Sequence, residues 1–65
     1  MIVKKSFYWG KVEVKDVMID FEGGLEEGVD VFINGKYVFN RIGVAANTIT
    51  DDDIQYCWDS WHKLH

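Results

Sequence analysis

Three groupings in this 65-residue chain have side chains suited to chemistry. They are Asp51-Asp52-Asp53, the set Cys57, His62 and His65, and the triplet Phe7-Tyr8-Trp9 among Lys4, Lys5, Lys11 and Lys15. Carboxylates, imidazoles and a thiol can bind metals or move protons, and aromatics beside lysines can stack on and neutralise single-stranded nucleic acid. Each grouping depends on the element that carries it. Consecutive helical carboxylates point about 100° apart, so the three aspartates do not converge on one ion. Their place at the start of a helical pattern explains them as charges favoured by the helix dipole. Cys57 and His62 differ by about 140° on the same helix, which separates a thiol from its base. Only His62 and His65 have neighbour spacing, and two ligands do not make a structural zinc site. No metal or other cofactor is expected.

Catalysis needs a concave pocket with converging polar groups, and a chain of this length has little room for one. The stretch Glu22-Gly-Gly-Leu-Glu-Glu-Gly28 is glycine-rich but acidic, and no lysine follows it as a phosphate loop requires. The expectation is a protein that is not an enzyme.

The elements that would position these residues are organised around Gly28-Val-Asp-Val-Phe-Ile-Asn-Gly-Lys-Tyr-Val-Phe-Asn40. Asn34-Gly35 suits the two positive φ angles of a type I′ turn, and β-branched and aromatic runs flank it. Pairing outward from that turn sets Ile33 opposite Lys36, Phe32 opposite Tyr37, Val31 opposite Val38 and Asp30 opposite Phe39. One face then carries Val29, Val31, Ile33 and Val38, and the other carries Phe32, Tyr37 and Phe39. A hairpin apolar on both faces needs partners on both.

N-terminal to it, Phe7 and Trp9 share one side of a strand and Tyr8 the other. Val12 and Val14 alternate with polar neighbours, but Val17, Ile19 and Phe21 are apolar at odd positions. This change of parity predicts an inserted residue or a turn at Lys15-Asp16, with a bulge the better fit because no glycine or asparagine sits there. Glu22 to Gly28 reads as a mobile acidic loop. Between Arg41 and Ile49, Gly43 and Ala45-Ala46 suggest a segment crossing closely over something, and Asn47-Thr48 a loop. Thr50 is a favourable N-cap, Asp53 completes a capping-box variant, and Lys63 suits the last turn of the ensuing helix. Ile54, Cys57, Trp58, Trp61 and Leu64 form its apolar stripe, with Cys57 as a small core residue.

The fold expected is α+β: one domain spanning residues 1–65, a small antiparallel sheet of three or four strands, and one C-terminal helix packed on one face. A domain this short buries only about 60% of its unfolded surface, so dense aromatic packing or a homodimer is expected to support it. The single cysteine excludes an internal disulfide, and no apolar run approaches the roughly 20 residues of a membrane span. Residues 1–5 are too short and charged for a signal peptide, so a cytoplasmic setting is expected.

The net charge is −4, unevenly spread. Asp16, Asp20, Glu22, Glu26, Glu27 and Asp30 follow one another with no cation between them. An acidic chain is repelled by nucleic acid and attracted to basic protein surfaces. The function expected is therefore a small acidic protein–protein interaction module, an inhibitor or accessory factor of a larger protein, or a homodimer. Tyr8, Phe32, Tyr37 and Phe39 are the expected contact residues on the second sheet face, with Glu26, Glu27 and Asp30 at an acidic rim. The acidic stretch and Asp51–Asp53 could together imitate nucleic-acid phosphates. The alternative is single-stranded nucleic-acid binding through Lys4, Lys5, Phe7, Trp9 and Lys11.

Overall fold

The computed structural model describes residues 1–64. Within them lie four strands, β1 (Ile2–Phe7), β2 (Gly10–Phe21), β3 (Gly24–Ile33) and β4 (Lys36–Ile42), and one helix, α1 (Asp51–Leu64). The strands form one antiparallel meander in the order β1-β2-β3-β4, and the helix packs on one face of it. This is the expected α+β layer.

Two of the turns explain the length of the central strands. Asn34 and Gly35 take φ of 52° and 84°, as the hairpin requires. Glu22 and Gly23 do the same at 53° and 81°, so the acidic segment is not a loop. It is a second tight hairpin, and Gly24–Gly28 continues as strand against Val17–Phe21. Glycine and glutamate are tolerated there because Gly24, Leu25, Glu26 and Glu27 are all exposed, and the pattern need not alternate.

No break occurs at Lys15-Asp16 either. Pairing of β2 with β3 runs without a shift from Val12↔Ile33 to Phe21↔Gly24. The strand keeps its register and changes which face is apolar. Val12 and Val14 lie beneath the helix and are buried, whereas Val17 and Ile19 face the opposite side and are half-buried. The irregularity sits in β4 instead: Val31 pairs with Phe39 and Phe32 with Tyr37, leaving Val38 as the extra residue of a bulge. Phe39 is therefore turned to the helix side, where it packs against the core with Val38.

That core consists of Val12, Val14, Val29, Val31 and Ile33 from the sheet, with Ala46, Ile49 and Ile54 laid over them. Thr50 Oγ1 accepts a hydrogen bond from the Asp53 N–H at 3.1 Å, so the expected N-cap holds the helix start. Lys5 pairs with Asp51 beside it. Along the helix, Trp58 stacks on Trp9 with ring centroids 4.5 Å apart, and Trp9 stacks in turn on Phe7 at 4.7 Å. The indole N–H of Trp9 donates to Gln55 Oε1 at 2.9 Å, which satisfies the polar end of the ring. The stripe does not stay buried to its end. Leu64 is 82% exposed, and of the described helix residues Ile54 alone is fully buried.

Residues 43–49 cross the sheet at the base of the β2–β3 hairpin, as Ala45-Ala46 suggested. Ala46 is buried, and its N–H donates to Asp16 Oδ1 at 2.7 Å. That bond, and the N-terminal ammonium 3.2 Å from Oδ2, hold the Asp16 carboxyl below the usual carboxylate range. A carboxylate with its folded pKa depressed adds stability above its unfolded pKa and loses it as pH falls through the folded value. Asp16→Asn is accordingly expected to remove part of the acid sensitivity of the fold. The check is thermal unfolding of both proteins between pH 7 and pH 2, in which the two curves should converge at the acid end.

Candidate interaction surface

The face opposite the helix has no covering layer among the described residues. Pleat alternation and strand pairing assign to it Lys15, Val17, Ile19 and Phe21 of β2, Glu26, Gly28, Asp30 and Phe32 of β3, and Tyr37, Asn40 and Ile42 of β4. Phe32 and Tyr37 are cross-strand neighbours in an edge-to-face arrangement, with centroids 5.8 Å apart and planes at 73°. Lys15 Nζ lies 5.0 Å from the Phe32 centroid, and Lys15 pairs across the strands with Asp30. Further along the same face, Ile19 leans over Gly28, the strand partner of Ile42. The result is an aromatic pair, Phe32 and Tyr37, at one end of the face and an apolar strip of Val17, Ile42, Ile19 and Phe21 at the other, with Lys15, Asp30 and Asn40 in a polar row between them.

Of the residues expected to form the surface, Phe32, Tyr37 and Asp30 are brought together, and Glu26 lies on the same face further out. Phe39 is not there, because the Val38 bulge turns it into the helix-side core. Tyr8 is 92% exposed but stands in the turn between β1 and β2, outside the strands that form the face. Glu27 is exposed on the helix side, opposite to Glu26. Sequence reasoning missed Val17, Ile19 and Ile42. The signal was present as the parity change at Lys15-Asp16, which marks the face switching from covered to open.

The hairpin formed by the far halves of β2 and β3 extends beyond its neighbours. β1 pairs with β2 as far as Lys15, and β4 pairs with β3 from Gly28 onward. Val17 to Glu27 is thus a two-stranded arm. It carries Asp20, Glu22, Glu26 and Glu27, and it exposes Met18, Phe21 and Leu25. Where the 43–48 segment crosses its base, a groove of about 450 Å³ opens between Asp16, Met18, Glu27, Val44 and Ala45.

The other groupings are engaged elsewhere. Both rings flanking Trp9, Phe7 and Trp58, occupy its faces, and Lys5 is paired with Asp51. The aromatic half of the nucleic-acid grouping is therefore built into the contact between sheet and helix. Lys4 and Lys11 are exposed on the other face. Cys57 is half-buried, and its Sγ accepts a hydrogen bond from Arg41 Nη1 at 3.2 Å. That bond, with Asp53 nearby, holds the guanidinium pKa above its ordinary value. His62 stacks on Trp58 with centroids 5.3 Å apart. Among the described residues no three His, Cys, Asp or Glu side chains gather as metal ligands, and His65 lies outside those residues.

Sheet, helix and open face together define an α+β meander domain with one covered and one uncovered sheet surface. No protein-family model, curated protein or solved structure matches the chain. No helix of the described residues is long and apolar enough to cross a membrane.

Proposed function

We propose that this chain is a small acidic protein-binding module that engages a larger protein through the open sheet face centred on Phe32 and Tyr37. The observation that carries the reading is that face itself. An aromatic pair and an aliphatic strip, the latter on an acidic arm, lie on a sheet whose other side is closed by a helix. Apolar side chains left on an uncovered sheet face of a small domain mark an interaction site. Tyr37, in the aromatic pair, is of a residue type enriched among those that dominate binding energy. In this reading the module acts by occupying its partner's surface, as an inhibitor or accessory factor in the cytoplasm. The phosphate-imitating version of this role rests on the arm, since Asp51 is already paired with Lys5.

Tyr37 is 53% exposed, so its truncation tests binding while the helix-side core stays intact. Tyr37→Ala is expected to weaken partner binding by about 2 kcal/mol or more, roughly thirtyfold, while the chain stays folded with its midpoint lowered by about 2–8 °C from loss of the contact with Phe32. The check is affinity capture of the tagged protein and its variant from nuclease-treated lysate, with stoichiometry read by mass spectrometry. A partner held equally by both proteins sinks the assignment. Recovery of this chain alone, as a dimer lost on Tyr37→Ala, assigns the face to self-association instead.

A further inference from the structure

We infer that the open edge of β2 between Val17 and Phe21 accepts an extended, cation-bearing segment of a partner protein as an added strand. This rests on the protein-binding reading above and specifies the chemistry of the partner.

Backbone direction identifies the groups on offer. The Asp16 N–H donates to the Met1 carbonyl at 3.2 Å, so even-numbered residues of β2 aim their backbone groups toward the β1 side. On the other side, the Gly43 N–H donates to the Glu27 carbonyl at 2.9 Å, and Glu27 is the strand partner of Met18. Both bonds fix the same alternation. Met18 and Asp20 therefore point their N–H and C=O groups outward along an edge that β1 does not reach. Such an edge is the template for strand addition.

The outer strands of the sheet are guarded by familiar devices, and on the arm's other edge, Gly24 to Glu27 of β3, the Glu27 carbonyl is already taken by the Gly43 N–H. β1 is six residues long and carries Lys4 and Lys5, and β4 is broken by the bulge at Val38. From Asp16 to Phe21 the β2 edge has no lysine, no proline and no bulge. What it has is charge of one sign. Asp20 lies on it, Glu22, Glu26 and Glu27 lie beside it, and no cation occurs in sequence between Lys15 and Lys36. A second copy of this chain pairing along the same edge would bring two acidic arms together, and like charges on neighbouring strands are destabilising. A strand bearing lysine or arginine meets the opposite condition. Val17, Ile19 and Phe21 line one face of the edge, and Met18 and Asp20 the other. The strand that fits alternates apolar residues with cations.

The test is NMR titration of the whole isotope-labelled protein with two capped seven-residue peptides, one alternating valine with lysine and one alternating valine with glutamate. The expected result is saturable slowing of amide exchange at Met18 and Asp20, with the lysine peptide bound about tenfold or more tighter than the glutamate peptide. Met18→Pro removes an outward N–H while leaving the bonds to β3, and is expected to abolish the effect. Should that variant lose the arm's structure, Asp20→Lys is expected to narrow the preference between the peptides severalfold. Equal binding of the two peptides, no saturable change, or changes centred on Phe32 and Tyr37 would overturn the inference. Loss of a captured partner on Tyr37→Ala would then still support the protein-binding reading, so the two can fail separately.

Discussion

Replacing Ile54 with alanine is expected to cost about 2–5 kcal/mol, the range for deleting a buried aliphatic side chain. Ile54 is fully buried and is the point at which the helix enters the core, between sheet valines and Ala46 and Ile49. A chain of this length has a total stability of only about 3–10 kcal/mol, so the variant should be partly or wholly unfolded at room temperature. Leu64→Ala is the matching control. It removes a side chain from the same sequence stripe, but one left 82% exposed, and the expected change is within about 0.5 kcal/mol. Urea unfolding of the two variants followed by tryptophan fluorescence measures both. Equal destabilisation would mean that the helix is buried along its whole stripe.

The second large effect is expected at Gly28. A Cβ there would lie 2.5 Å from the Arg41 carbonyl oxygen and 2.7 Å from Ile19 Cδ1. The isoleucine can rotate aside, but the carbonyl belongs to the β3–β4 ladder, so Gly28→Ala must open the pairing of Gly28 with Ile42. Forcing extra volume into a closed site costs about 1–3 kcal/mol, and displaced ladder bonds add to it. The same clash reshapes the open face, because Ile19 and Ile42 are part of its strip. Gly28→Ala should therefore lower the thermal midpoint by about 4 °C or more and perturb Ile19 and Ile42 resonances. Gly24→Ala, with open space around its Cβ position, should disturb neither.

These two positions show what local pattern can and cannot reveal. The N-cap at Thr50 and the I′ turn at Asn34-Gly35 are local chemistry, and both are present as read. Register two residues out from that turn is also as expected, with Phe32 opposite Tyr37. Beyond it the bulge intervenes. Val38 is apolar and fits the core in either register, so nothing in its type announces that it is the extra residue. Gly28 reads as a loop residue until β4 lies beside it and shows the close approach that requires it. Glu26 and Glu27 read as loop because they do not alternate with apolar residues, yet a two-stranded arm open on both faces imposes no alternation. Lys15-Asp16 reads as a break because sequence patterning assumes one apolar face per strand, and the apolar side of β2 passes from the covered face to the open one. For the candidate surface, Phe32, Tyr37 and Asp30 were legible from the hairpin alone. Phe39 was misplaced by the bulge, and Val17, Ile19 and Ile42 emerge only with the unbroken register of β2.

The central claim is that the uncovered sheet face is where this protein meets another. Oxidative side-chain footprinting of the free chain and of its captured complex tests it most directly. The account predicts that oxidation of Phe32, Tyr37 and Phe21 falls on complex formation, while Tyr56, 68% exposed on the helix, reacts as before. Protection of Tyr56 and the helix with Phe32 and Tyr37 unchanged would contradict it.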